Sequence, residues 1–279
     1  MSSVLFDVPG PRALRRQRIA SALTVLVLVV VAVGVVWKLQ VEGQLAAEIW
    51  EPFVTPAYVQ ALLEGAATTI RTAAVAIVLS IVFGAVFAVG RLSPRVWLRW
   101  PSTLVVEFFR AVPLLMLILA IYLVYNEILG KFWSLVLGLV LYNGSVLAEV
   151  FRAGVLAVPS GQSEAAYGIG LRRGQVMRIV LLPQAVRIML PAIISQSVVA
   201  LKDTSLGYVI PFVELTVTGR AIAIEFHNSL ATALVLAAMF ITVNYALSRV
   251  AVWLEGRMSR NTTGAAPTGT ADAADRSGA

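Results

Sequence analysis

Gly161-Gln162-Ser163-Glu164-Ala165-Ala166-Tyr167-Gly168-Ile169-Gly170, closing at Leu182-Pro183, is the longest polar interruption in an otherwise apolar chain. Apolar runs flank it on both sides. It reads as two short helices broken by glycine, with a cluster of arginines in the second. The 279 residues around it are 59% hydrophobic and 13% charged, with a mean hydropathy of +0.85. A soluble domain is nearer half apolar and a quarter charged, so lipid is the solvent for most of this chain. The absence of cysteine excludes a disulfide framework and a thiolate metal site. A single histidine, His227, leaves no His-based metal cluster and no Ser-His-Asp triad. The net charge of +7 would suit nucleic acid, but the arginines fall between apolar runs on alternate sides. That distribution is a topology signal and not a binding face.

Toward the N-terminus, residues 1–18 are basic, with Arg12, Arg15, Arg16 and Arg18 near Pro9 and Pro11. Ile19 to Trp37 is then apolar almost without break, a span of roughly 28 Å as a helix, enough to cross a bilayer core. A cleaved signal peptide processed near Ala46-Ala47 is the rival reading. The run is longer than a usual signal core, which favours a retained helix over 19–38. Further spans are predicted over about 65–90, 104–125 (kinked by Pro113) and 132–148 before the polar segment. Two more follow it, over about 186–201 and 230–247. From residue 257 onward the chain is Thr, Gly, Ala, Pro and Asp, a tail predicted to be disordered. The expected fold is therefore an all-α membrane protein with about six transmembrane helices.

Lys and Arg in the loops set the orientation. The N-terminus, the Arg91–Arg99 loop, the Arg152–Arg187 segment and Arg249–Arg260 lie on one side, and few cations lie on the other. By the positive-inside rule the first set is cytoplasmic, with both termini and the polar segment. Within that segment, Ser163 is predicted to cap a helix starting at Glu164. Ala165 and Ala166 are small enough for another backbone to come close. Gly170 permits a sharp break before a basic helix from Arg172 to Leu181, which Pro183 is predicted to end.

Glu-Ala-Ala, three residues, Gly170, nine residues, Val180, then Leu182-Pro183 resembles the EAA loop of bacterial ABC importer permeases. Val180 stands where that pattern has isoleucine. Glu107-Phe108-Phe109-Arg110-Ala111-Val112-Pro113-Leu114-Leu115 resembles the FRGTPLL segment of polar amino-acid permeases. Glu149-Val150-Phe151-Arg152-Ala153-Gly154-Val155, with Val158-Pro159-Ser160-Gly161-Gln162, is similar to their lead into the EAA loop. Lys202-Asp203-Thr204-Ser205-Leu206 matches their KDTSL. The likeness covers about residues 65–255, with the EAA loop at 161–183, and is nearest a glutamate-type member of the His/Glu/Gln/Arg/opine branch. It implies a five-helix type I permease core, preceded here by an extra helix, and a cytoplasmic coupling helix.

The resemblance implies that Glu164, Ala165, Ala166, Gly170, Leu182 and Pro183 dock two ATP-binding subunits. It also implies a second permease subunit, identical or homologous, and an extracytoplasmic amino-acid-binding protein. No G-x-x-x-x-G-K-[ST] occurs, so the chain has no phosphate cradle of that kind. ATP and magnesium are then expected on the partner subunits, with no cofactor, metal site or catalytic residue in this chain. Candidates for the translocation path are Arg110, Asn143, Lys202, Thr204 and Ser205, with Ser145 beside Asn143. The bland alternatives are a structural pair between Arg110 and Glu107, and an interfacial pair between Lys202 and Asp203 at the outer end of the fifth span. Glycines such as Gly84 and Gly138 read as packing positions. An ion-gradient-driven secondary transporter is the competing functional class, although Glu107 and Glu149 both fall near span ends rather than within the membrane.

Overall fold

The computed structural model describes residues Gly10–Arg260, and among these every regular element is helical. The first, α1 (Pro11–Val41), has proline in its first turn and Lys38 paired with Glu42 at its end (2.7 Å). It buries no residue against the rest of the chain. From Ile19 to Trp37 its surface is almost wholly apolar, as a helix bathed in lipid requires. Two short helical turns, Ala47–Trp50 and Glu51–Phe53, lead into α2 (Pro56–Leu92). The helix α3 (Val96–Ala111) follows after Ser93-Pro94.

Residues 114–156 run as one helical stretch broken at Gly130, whose φ of 71° and ψ of 168° end one helix and begin another. The halves are α4 (114–129) and α5 (131–156). Ile118 of α4 packs on Gly138 of α5, where a Cβ would come within 2.8 Å of Ile118 Cγ1, so the two form an antiparallel hairpin. With α1, α2, α7 (Arg173–Val209) and α9 (Ser229–Arg260), five helical stretches are long and apolar enough to cross a bilayer, and the break at Gly130 within 114–156 allows a sixth crossing.

The third predicted span needs correction. Pro113 does not kink a helix over 104–125 but separates two. Without an N–H it cannot continue the ladder, and Val112 before it is extended (ψ 129°). The crossing helix is α4. The preceding α3 stays at the end of α2: Ser102 lies against Gly90, and Glu107 pairs with Arg91. Its exposed apolar stripe is Trp97, Trp100, Leu104 and Phe108, spaced as one helix face. A helix with such a stripe and arginines at both ends lies along the membrane interface, where tryptophan is favoured.

The core is the contact between α2 and α5. Gly84 and Gly144 let the backbones approach, since a Cβ on Gly84 would sit 3.0 Å from the Gly144 carbonyl and one on Gly144 would sit 2.7 Å from Phe83. Toward the arginine-rich end, Ala88, Leu147, Phe151, Val155, Ala185 and Met189 join α2, α5 and α7 in one apolar cluster. At the opposite end, α8 (Leu215–Glu225) packs on α2 and α9 through Leu62, Ala66, Leu215 and Ile222. The helix α9 continues through Arg260, so residues 257–260 are helical. The rest of the predicted disordered tail, and residues 1–9 of the basic N-terminus, lie outside the described residues.

Candidate functional site

The polar segment folds as α6 (Ser160–Gly168), a turn, and the basic first part of α7. The helix starts four residues earlier than predicted, after Pro159. Ser163 is inside it and donates back to the Ser160 carbonyl (2.8 Å), so it is not the cap. At its other end Gly170 has φ +84°. Gly170 N–H donates to the Tyr167 carbonyl (2.9 Å) and Leu171 N–H to the Ala166 carbonyl (3.1 Å). This is a glycine-terminated helix end of the Schellman kind, which a side chain at position 170 would strain. Arg172 N–H then donates to Gln175 Oε1 (2.8 Å), starting the next helix.

Pro183 does not end that helix. The turn before it, Val176–Leu181, widens to π geometry, and Leu182 N–H reaches the Met177 carbonyl. Widening relieves the clash of a proline ring with the preceding turn and lets the helix run on into the membrane. Gln184 Nε2 donates to the Val180 carbonyl (2.9 Å) and to Gln162 Oε1 (3.3 Å), tying α6 to α7. The basic helix and the fifth span are thus one continuous rod. Ala166 is buried, whereas Glu164, Ala165, Tyr167 and Ile169 are exposed, Ile169 by 79%. Leu182 and Pro183 are also exposed.

Above this segment, two of the sequence motifs meet on one loop arginine. Arg91 is 7% exposed and pairs with Glu149 (2.7 Å) and Glu107 (3.0 Å). Arg152 pairs with Glu149 (3.3 Å) and Arg110 with Glu107 (3.6 Å). The structural pair between Arg110 and Glu107 is present, but Arg91 is its centre. Arg91 was read only as a loop cation, and one sequence alone gives no sign that it joins α2, α3 and α5.

The remaining path candidates gather at mid-membrane. Asn143 is fully buried halfway along α5, where Gln196 Nε2 donates to its Oδ1 (2.6 Å) and its Nδ2 donates to Asp203 Oδ2 (3.3 Å). Lys202 faces a cavity of about 420 Å³ with Ser205, Ala237, Phe240, Ile241 and Asn244. These α9 residues occupy the middle of the membrane segment Ser229–Val250. Lys202, which is exposed, and half-buried Asp203 therefore end the helix Leu182–Asp203, as expected, but at the level of the middle of α9. The expected pair between them is replaced: Asp203 turns to Asn143, and among the described residues no ion pair involves Lys202. The polar run was read as a span end because the chain turns there. Thr204 is buried and its hydroxyl donates to the Leu201 carbonyl (2.7 Å), while Ser205 donates to the Lys202 carbonyl (2.7 Å). Ser145, also buried, makes no hydrogen bond through Oγ.

Sequence reasoning missed Glu214. It is fully buried, accepts from Thr216 N–H (2.9 Å), Val217 N–H (3.0 Å) and the Thr69 hydroxyl (3.2 Å), and so fastens the start of α8 to α2. Burial pushes its carboxyl above the ordinary range, against the pull of those donors. Among the described residues no group of three or more His, Cys, Asp or Glu is placed to hold a metal ion.

Residues 80–260 match the family described as binding-protein-dependent transport system inner membrane component. The glutamate transport system permease protein GluD of Corynebacterium glutamicum is 38% identical over 237 residues, covering 81% of this chain and 87% of that protein. The glutamate/aspartate import permease protein GltK of Escherichia coli O157:H7 is 32% identical, covering 58% of this chain and 77% of that protein. A solved amino acid ABC transporter with histidines superposes with a TM-score of 0.68 at 26% identity, covering 72% of this chain and 95% of that one. The inward-facing methionine transporter MetNI shares the fold, with a TM-score of 0.66 at 17% identity. With the family matched over more than half of its length, this chain belongs to the binding-protein-dependent transport system inner membrane components, as an ABC importer permease for amino acids.

Proposed function

We propose that this chain is the membrane subunit of an importer for an acidic amino acid, L-glutamate, in the bacterial cytoplasmic membrane. In this reading both termini and α6 face the cytoplasm, as the loop arginines require. Two ATP-binding subunits, which hold the ATP and magnesium, dock on α6 around Glu164. A second permease subunit completes the path, and an extracytoplasmic binding protein delivers the solute.

The observation that carries the energy-coupling part is the continuity of α7. An exposed helix, α6, is tied to a rod that begins beside it and reaches Lys202 without a break, so displacement at one end moves the other. The solute shifts the equilibrium between inward and outward openings only through its differential affinity for them. Lys202 supports an anionic solute: a cation in the bilayer interior costs about 2.5–3.5 kcal/mol on insertion scales, and a carboxylate passing its cavity offsets that cost. Asn143, held by Gln196 and Asp203, gives this region a polar wall, and Ser205 shares the cavity with Lys202. Two of the named relatives are glutamate permeases, which agrees with this chemistry.

The test is uptake of labelled glutamate, glutamine and arginine into vesicles holding the reconstituted complex with its binding protein. ATP-dependent uptake with glutamate preferred is the expected result. Preference for arginine would overturn the substrate assignment. Uptake that persists without ATP and collapses with an ion gradient would overturn the ATP-driven mechanism.

A further inference from the structure

A cleft of about 510 Å³ opens between α2, α5 and α7 at the arginine-rich end, lined by Ala85, Ala88, Leu92, Phe151 and Met189 among other apolar side chains. Its single charged lining residue is Arg178, which is exposed and makes no ion pair among the described residues. Arg172 and Arg173, on the same segment, are exposed as well. Apart from Leu182, which also lines it, the cleft shares no residue with the docking and path candidates named above.

We propose that this cleft holds one acyl chain of an anionic phospholipid, with Arg178 meeting the headgroup phosphate. Three observations meet here. The walls are apolar, so water gains no hydrogen bonds by filling the space, while the lining side chains gain dispersion contacts from a hydrocarbon chain. The mouth lies beside the tryptophan-bearing helix α3. Leu92 lines the cleft at the end of α2, beside α3, and α3 exposes Trp97 and Trp100, residues that settle at the membrane interface. The charge there is a guanidinium, whose planar fork of donors fits phosphate oxygens. Basic pockets between transmembrane helices on the cytoplasmic side recognise acidic headgroups in this way. An uncharged interior with one cation at its rim matches a lipid in both parts.

This rests on the arginine-rich end being cytoplasmic. Lipid retention in detergent is nevertheless measured without reference to transport, so either reading can fail alone. The experiment is native mass spectrometry of the permease purified with its ATP-binding subunits. The complex is titrated with phosphatidylglycerol, with phosphatidylcholine of the same chains, and with oleate. Wild type is expected to retain one phosphatidylglycerol per copy about fivefold more tightly than phosphatidylcholine, the contribution of one arginine near a lipid surface. Arg178→Gln brings the two phospholipids to parity. Ala85→Trp, at an exposed position on the wall, removes the tight adduct while the complex keeps its mass and ATPase rate. Equal retention of both phospholipids by wild type would overturn the proposal, as would an unchanged adduct in Ala85→Trp or oleate bound as tightly as phosphatidylglycerol. Ala85→Cys offers a separate check in this cysteine-free chain. A disulfide-linked permease dimer would assign the cleft to a second copy instead, and its absence under oxidation agrees with lipid.

Discussion

Arg91 and Lys202 are both cations on long membrane helices, and the fold treats them in opposite ways. Arg91, at the last turn of α2, is almost wholly buried and gripped by two carboxylates, each shared with a further arginine. Lys202 is exposed in a groove level with the middle of α9 and has no ion-pair partner among the described residues. Closed charge of the first kind fixes the relative positions of α2, α3 and α5 at the arginine-rich end. Open charge of the second kind is unfavourable for the resting fold and remains available to a passing group. Position along the helices decides which role a cation takes.

The largest effect that would break this contrast is on stability. Arg91→Met leaves Glu107 and Glu149 without their shared cation, each keeping only its own arginine, and because both carboxylates are partly exposed the cost is about 1–3 kcal/mol. A marked fall in the Tm of the purified complex is expected, with Arg91→Lys intermediate because an ammonium cannot reproduce the forked contact. An unchanged Tm in Arg91→Met would mean that the network is ornamental. Lys202→Met should do the reverse, leaving Tm level or slightly higher while uptake falls by about tenfold or more. If Lys202→Met transports normally, the open charge is not on the path. A smaller effect is expected at Gly170. Space is open around it, with nothing within 4 Å of an added Cβ, so Gly170→Ala meets no clash but must hold φ +84° at a cost of about 1 kcal/mol. Uptake should decline severalfold with ATP-binding subunits still attached, measured by co-purification, and a bulky residue there should decline no further than alanine. Steric loss beyond alanine would contradict a purely conformational role.

The membrane class, the approximate number of crossings and the helix–turn–helix form of the polar segment were legible because each rests on a long pattern: apolar runs, loop arginines, and a motif spread from Glu164 to Pro183. Gly84 and Gly138 were read as packing positions, and both meet a neighbouring helix. What escaped depends on which residues meet in space. The hydropathy of 104–125 hid an interfacial helix and a crossing helix behind one apolar average. The spacing of Trp97, Trp100, Leu104 and Phe108, taken with Pro113, was the signal that separates them. The depth of Lys202 escaped because a polar run was equated with a membrane surface, whereas the bundle admits polar groups wherever they line a cavity or satisfy one another. Arg91 and Glu214 owe their roles to partners 16 or more residues away. Pro183 shows the same limit locally, since the π-helical turn before it lets a helix continue where a proline would ordinarily end it.

The central claim is that energy enters through the exposed face of α6 and travels along α7 to the path at Lys202. The direct measurement is ATP hydrolysis and glutamate uptake in the same proteoliposomes, wild type beside Glu164→Lys. The account predicts that the variant inserts, yet its uptake falls to background while hydrolysis no longer responds to the loaded binding protein. Uptake at the wild-type rate with the ATP-binding subunits still docked would contradict it.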